Sequence, residues 1–327
     1  MVEDAPLGPL TTIGTGGEAS LLVTVETAEA AASVVRCLSD HETPFYCLGA
    51  GSDLLVADEG YQGAVIRLGE SLSHLEGALG GTLTDASGSQ REAVGSSELP
   101  GDDVVVITVP AGVAVPRLAA AVAEAGLAGL EFACGIPGSV GGGVATNAGA
   151  YGRCLADVLT EVQLATAEGV HWVAASQLEW EYRHCRLPAG VMVTAVRLEL
   201  TRDDPTAIIG RQEDILEMRR AVQPQGVLTF GSTFKNPSGG AAGRLLDAAG
   251  LKGERRGGAE VSMAHANFVV NLGDARTADV LALMDHMRRR VHATSGVWLE
   301  PEVRLLGTGF PWDSSADDSR RSPSADG

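Results

Sequence analysis

Lysine is almost absent from this sequence: Lys235 and Lys252 are the only two in 327 residues, and with 42 acidic side chains the formal net charge is −18. Phosphate-backbone recognition needs clustered cations, so nucleic acid is not an expected partner. Long apolar runs are missing as well, since nothing reaches the roughly 18 uncharged apolar residues of a membrane span. The opening MVEDAPLGPL has no basic region ahead of an apolar one. It does not read as a secretory signal, and the cytoplasm is the expected location. Cysteine pairs are lacking too: Cys37, Cys47, Cys134, Cys154 and Cys185 include no C-x-x-C and no metal-ligand spacing. Their odd number and irregular gaps point to reduced, mostly buried thiols and to no metal or disulfide framework.

What remains is a globular composition, 45% hydrophobic and 20% charged, in a chain long enough for two domains. It is organised around Gly129 to Gly152, GLEFACGIPGSVGGGVATNAGAYG, in which eight of 24 residues are glycine and Asn147 is the main polar handle. Interior glycine costs about 1 kcal/mol relative to alanine in a helix, so the stretch is expected to be a loop. Glycine also lets backbone amides approach a ligand and turn inward, which suits a large, flat, anionic ligand. The plainer reading is a surface linker. Against it stand Leu130, Phe132, Ile136, Val140, Val144 and Tyr151, which are costly to leave in water.

Taken in order, the chain predicts a strand at Leu21 to Val25 and a helix capped by Thr27 with Ala31, Val34, Val35 and Leu38 on one face. A second strand, Phe45 to Leu48, runs into GAGSDLLV. A glycine-rich turn after a strand offers amides and the Ser52 hydroxyl to a phosphate. The dinucleotide fingerprint G-x-G-x-x-G fails here, because Leu54 stands at the third glycine position and begins a short strand. Residues 71–103 read as an exposed insertion with one strand edge. Beyond it come strand Val104 to Pro110, a helix lined by Val115, Leu118, Ala121, Val122 and Ala125 and ended by Gly126, and strands Val158 to Thr166 and Val191 to Leu200. His171 and Trp172 lie in a strand between those two, and Tyr182 and Arg183 in a connection.

A boundary is expected near Asp203 to Pro205, followed by a helix to about Val222. A turn and a helix with Leu245, Leu246 and Ala249 inward come next, then a strand ending at Asn271. Thr277 is expected to cap a final helix whose buried stripe is Val280, Leu283, Met284, Met287 and Val291, and strand Trp298 to Leu306 closes the fold. Residues 308–327 read as disordered.

Seven motifs in order, GAGSDLLV, GLEF-x-x-GIPGSVGG, NAGAYG, YR, GSTFKNP, AEVS-x-x-HANFVVN and LEPEVRLLG, resemble the MurB family of UDP-N-acetylenolpyruvoylglucosamine reductases from about Thr11 to Gly307. The resemblance implies an α+β fold: a PCMH-type (vanillyl-alcohol-oxidase-like) FAD-binding region at 11–203 and a C-terminal α+β substrate domain at 204–307. It also implies noncovalent FAD, NADPH as co-substrate, and reduction of UDP-N-acetylglucosamine enolpyruvate to UDP-N-acetylmuramate for peptidoglycan. The cofactor-binding positions it implies are Gly49, Ala50, Gly51, Ser52, Asp53 and Leu54, then Ala111 and Gly112, then Gly135, Ile136, Pro137, Gly138, Ser139 and Gly142. No histidine or cysteine stands out as a covalent tether.

For catalysis the resemblance implies Arg183, Ser232 and Glu302. Hydride addition to the terminal vinyl carbon leaves charge on its neighbour and the carboxylate, which a guanidinium clamps with two parallel hydrogen bonds. A hydroxyl such as Ser232 is acid enough to protonate a strongly basic enolate. Taken alone, Arg183 reads as a surface ion pair and Ser232 as a turn or cap residue. Glu302, in LEPEVRLL, either pairs with an arginine near Arg304 or polarises the reacting centre, and strand alternation would put Glu300, Glu302 and Arg304 on one face. Tyr151, Lys235 and Asn236 are the implied substrate contacts, and His265 reads as a structural hydrogen-bonding residue.

The chain departs from the family at Asp53, often Asn, and at Cys185, where serine is common. The short connection after GSTFKNP resembles the type II branch, so no substrate-clamping tyrosine is carried over. Two other readings are a PCMH-type oxidase using oxygen on another substrate, and a non-catalytic nucleotide-sugar or flavin-binding regulator. The first leaves GSTFKNP and LEPEVRLLG unexplained; the second would be marked by loss of Arg183, Ser232 or Glu302, and all three are present.

Overall fold

The fold is described from a computed structural model covering residues 1–75, 83–84, 90–91, 103–307, 309 and 311. Most of the expected insertion at 71–103 and almost all of the expected tail lie outside the described residues. The chain forms two compact units, residues 1–3, 21–51 and 63–223 in one and 4–20, 52–62 and 224–327 in the other.

The first unit is built on a mostly antiparallel sheet. Its central strand, Met192–Arg202, is the longest and pairs antiparallel with Leu159–Thr166 on one side and Val104–Pro110 on the other. Gly169–Ala174 extends it beyond Leu159–Thr166, and the pair Leu83–Thr84 and Gln90–Arg91 extends it beyond Val104–Pro110. Five of the central strand's residues from Met192 to Val196 are buried in succession, so it is covered on both faces.

Helix Ala28–Asp40 begins where expected, Thr27 Oγ1 accepting from the Ala30 amide at 3.1 Å, and buries Ala31, Ala32, Val35 and Leu38. Helix Val115–Glu124 buries Val115, Leu118, Ala119, Val122 and Ala123 and stops at Gly126, φ +69°. The thiols are free, but burial is less general than expected: Cys134 and Cys185 are buried, Cys47 and Cys154 half-buried, and Cys37 exposed. Burial pushes the Cys47 thiol up to about 12, which keeps it protonated and inert.

Helix Pro205–Val222 also belongs to the first unit. It is pinned by Arg211, bonded to Glu131 at 2.7 Å and Asp203 at 2.6 Å, and by Gln212 Nε2 donating to the Ala119 carbonyl at 2.9 Å. These contacts set the rotation of the helix. Arg219 lies about two turns further along the same face.

The second unit has its own core, in which helix Thr277–Ser295 buries the expected stripe, Val280, Leu283, Met284, Met287 and Val291, against Ile13, Leu55, Phe234 and Leu246. Thr277 is not its cap. It is the first helical residue, its hydroxyl donating to the Val56 carbonyl at 2.6 Å, while the Asp58 carboxylate accepts from the amides of Thr277 and Ala278, both at 2.9 Å. A carboxylate at a helix N-terminus satisfies orphan amides and complements the dipole.

Two strand assignments need correction. The stretch from Gly257 to Asn271 is not one strand but two, Ala259–Val261 and Val269–Asn271, paired antiparallel across a turn. The closing strand is only Arg304–Leu306, parallel to Leu54–Val56. Before Val303 the chain makes a single isolated bridge, Phe234 to Pro301, rather than a ladder.

Candidate active site

In the first unit two loops meet. Strand Phe45–Leu48 ends at Gly49, and a Cβ built there would lie 2.5 Å from Ser139 Oγ. Position 49 therefore accepts only glycine without displacing Ser139. The stretch from Gly129 to Gly152 is not wholly a loop: Val140–Ala145 is a short helix capped by Ser139, whose Oγ accepts from the Gly142 amide at 3.3 Å.

Packing explains why so many glycines are helical here. A Cβ on Gly141 would sit 3.0 Å from the Ala111 Cβ, and one on Gly143 would sit 2.6 Å from Leu155 Cδ1. The propensity loss of about 1 kcal/mol per glycine is offset by this close approach.

The donors divide cleanly. The amides of Val140 and Gly141 are spent on the carbonyls of Val113 and Ala111 at 2.9 and 2.8 Å, and the Ala111 and Gly112 amides on Thr194 and Leu72, both at 2.9 Å. Ala111 and Gly112 therefore offer surface, not donors. The amides of Gly49, Ala50, Gly138 and Ser139 enter no hydrogen bond among the described residues. Gly138, at φ +135°, supplies the backbone turn that leaves its own amide and that of Ser139 open. Two loops in contact, each with open amides, fit a pyrophosphate-bearing cofactor. Ser52, Asp53 and Leu54 fall in the second unit, where the Asp53 carbonyl accepts from the Arg304 amide at 3.2 Å.

One cation beside this cradle escaped the sequence reading. A Cβ on Gly135 would lie 2.5 Å from Arg219 Nε, so the guanidinium lies directly against the loop. Arg219 forms no ion pair among the described residues. Burial pushes the Cys134 thiol up next to it, with the Arg219 charge opposing. In the sequence Arg219 looks like any basic residue in the last turn of a helix; only the tertiary docking of that helix brings it to Gly135.

Arg183 is the second residue of a two-residue turn between Glu179–Glu181 and His184–Arg186, in the left-handed region at φ +59°. Its guanidinium carbon is 5.1 Å from the centre of the Tyr182 ring. Tyr151 and Gly152 form the turn of another small hairpin, with φ +53° and +78°. Two positive φ values mark a type I′ turn, whose first position ordinarily takes Asn or Gly, yet here it carries a half-exposed tyrosine. Both turns hold a large side chain in a conformation that costs about 1–2 kcal/mol outside glycine.

In the second unit Ser232 and Glu302 come together. Ser232 bridges to Phe268 on one side, and on the other the Glu302 amide donates to the carbonyl of Thr233 at 2.9 Å. Asn267 clamps the segment, its Oδ1 accepting from the Phe234 amide at 3.0 Å and its Nδ2 donating to the Phe234 carbonyl at 2.8 Å. Because Arg304–Leu306 alone is strand, the expected alternation of Glu300, Glu302 and Arg304 does not govern their faces. Glu300 instead lies 3.7 Å from Lys235 Nζ as an exposed pair, and Asn236 Oδ1 accepts from the Ala242 amide at 3.0 Å. His265 is structural as read: Nδ1 accepts from the Asn267 amide at 3.2 Å, and burial with the nearby Lys252 charge lowers its pKa.

Comparison with known proteins decides the family. A model described as UDP-N-acetylenolpyruvoylglucosamine reductase, C-terminal domain, matches residues 223–306, and one described as FAD binding domain matches 101–174. The UDP-N-acetylenolpyruvoylglucosamine reductase of Anaeromyxobacter sp. (strain Fw109-5) is 42% identical over 311 residues, 94% of this chain and 89% of that one. This chain belongs to the MurB reductase family. The reductase of Granulibacter bethesdensis is 39% identical over 306 residues, with 94% and 91% covered. The crystal structure of MurB from Thermus caldophilus superposes with a TM-score of 0.75 at 38% identity, covering 94% of this chain and 99% of that one. The MurB fold is thus an α+β one, a PCMH-type FAD-binding fold followed by the MurB C-terminal domain. Among the described residues no helix is long and apolar enough to cross a membrane.

Proposed function

We propose that this chain reduces UDP-N-acetylglucosamine enolpyruvate to UDP-N-acetylmuramate with NADPH, as a cytoplasmic step of peptidoglycan precursor synthesis that involves no nucleic acid. The observation that carries the reading is the 42% identity over 94% of the chain to a reductase of that name. We assign the cofactor chiefly to residues 11–203, joined by Arg219, and the nucleotide-sugar substrate chiefly to 204–307, joined by Arg183 and Tyr151.

FAD held noncovalently supplies, once reduced by NADPH, the hydride for the enolpyruvyl double bond. The open amides of Gly49, Ala50, Gly138 and Ser139 hold its pyrophosphate, with Arg219 as a neighbouring positive charge. Arg183 clamps the substrate carboxylate and stabilises the charge that develops on it. Ser232 gives its hydroxyl proton to the adjacent carbon, and Glu302 polarises that centre. Lys235 and Tyr151 contact the nucleotide sugar. Asn236, already bonded to the Ala242 amide, orders the turn that carries Lys235.

The test is a coupled assay of NADPH consumption and peroxide release. The expected result is NADPH oxidation that requires UDP-N-acetylglucosamine enolpyruvate, with UDP-N-acetylmuramate formed in equal amount. NADPH-independent turnover with stoichiometric peroxide would favour the oxidase reading instead.

A further inference from the structure

Asn147 has no part in the chemistry above, yet it is a buried amide at the heart of the glycine-rich stretch, 6% exposed and held at φ +42°. Its Nδ2 donates to the Glu181 carbonyl at 3.0 Å, and its Oδ1 accepts from the Ala156 amide at 3.3 Å. The partners fix the orientation of the amide, because a carbonyl can face only the NH₂ group and an N–H only the oxygen. Glu181 is the residue immediately before the Tyr182–Arg183 turn. Ala156 lies two residues beyond the end of the hairpin whose turn is Tyr151–Gly152.

One side chain thus holds the backbone behind both turns. Neither hairpin is self-sufficient: strands of two or three residues are marginal on their own, and their register rests on external ties. The Arg183 hairpin has one such tie in Trp180 Nε1, which donates to the Ala175 carbonyl at 2.8 Å on its approach side. Asn147 supplies the tie next to the turn itself. Asn147, Tyr151 and Arg183 are all left-handed, a concentration of strain that persists only where the surroundings hold it.

We propose that Asn147 is a positioning residue that fixes the Arg183 turn against the Tyr151 hairpin, so that the guanidinium meets the substrate carboxylate already aligned. The proposal rests on the reading of Arg183 as the carboxylate clamp. A clamp that must be found anew at each turnover loses rate, since misplacement by about 1 Å costs up to about a hundredfold.

The test uses the FAD-loaded enzyme and two substitutions. Asn147→Gly keeps the left-handed backbone and removes both side-chain bonds. Asn147→Asp keeps an acceptor for the Ala156 amide and loses the donor to Glu181, so it isolates the bond behind Arg183 and serves as the second variant if glycine impairs folding. Expected for both are wild-type FAD content and NADPH-driven flavin reduction, with single-turnover reoxidation by UDP-N-acetylglucosamine enolpyruvate slowed about 10- to 100-fold. Calorimetric affinity for UDP-N-acetylmuramate should fall about fivefold, the equivalent of one hydrogen bond.

The deciding readout is the double variant with Arg183→Ala. If Asn147 acts through Arg183, its loss adds little once the guanidinium is gone. Wild-type reoxidation in both Asn147 variants overturns the proposal, and so does a full multiplicative effect in the Arg183→Ala background. Wild-type reoxidation in Arg183→Ala alone overturns the underlying reading as well, which distinguishes the two failures.

Discussion

Ser232→Ala should leave flavin reduction by NADPH at its wild-type rate and slow reoxidation by UDP-N-acetylglucosamine enolpyruvate by about 10²- to 10⁴-fold, the usual contribution of a positioned acid. The asymmetry follows from the role: the hydroxyl proton is needed only after hydride has reached the substrate. Loss of structure is not a competing explanation, because the segment is held by others. The Thr233 amide donates to the Asn267 carbonyl at 2.8 Å, Asn267 clamps Phe234 on both sides, and the Glu302 amide caps the Thr233 carbonyl. Stopped-flow absorbance of the flavin separates the half-reactions. Equal slowing of both, or none in reoxidation, would show that Ser232 is a turn residue and no more.

Arg183→Ala carries the second large effect. Removing a preorganised donor from developing negative charge typically costs about 10²–10³ in rate, and reoxidation should fall by that factor while substrate binding weakens. Arg183→Lys keeps the charge but not the planar fork, so it should recover only part of the loss. The fold should be indifferent, since alanine at φ +59° is no more strained than arginine, and Arg183→Gly should match or exceed wild type in Tm while sharing the kinetic defect. A single-turnover titration with the enol ether measures rate and affinity together. Reoxidation of Arg183→Ala at the wild-type rate is the result that removes Arg183 from the chemistry.

The parts of this molecule that were legible in its sequence are those where one element carries its own evidence. The buried stripe of Thr277–Ser295 and the Thr27 cap of Ala28–Asp40 follow from spacing alone, because a helix shows its core face every three or four residues. What misled the reading was each case where a distant partner overrides local preference. Glycine stands at 141 and 143 of a helix because Ala111 and Leu155 leave no room there for side chains. Thr277 is displaced as cap by Asp58, 219 residues earlier in the chain.

The site divides along the same line. Ser232, Glu302 and Arg183 stand in motifs that can be recognised by residue type and order. Their supports cannot: Asn267 acts across 33 residues and Asn147 across 34, and Arg219 reaches Gly135 only because Arg211 and Gln212 dock its helix. LEPEVRLL looks like continuous strand, and only the isolated bridge of Pro301 to Phe234 reveals that Glu302 is set by pairing with Thr233.

The most direct test of the account is anaerobic stopped-flow absorbance in the flavin band, with NADPH added first and UDP-N-acetylglucosamine enolpyruvate second. The account predicts bleaching by NADPH and full recovery on adding the enol ether, with UDP-N-acetylmuramate as product. Bleaching that persists in the presence of the enol ether would contradict the assigned substrate, and a colourless protein that takes up no added FAD would contradict the cofactor cradle itself.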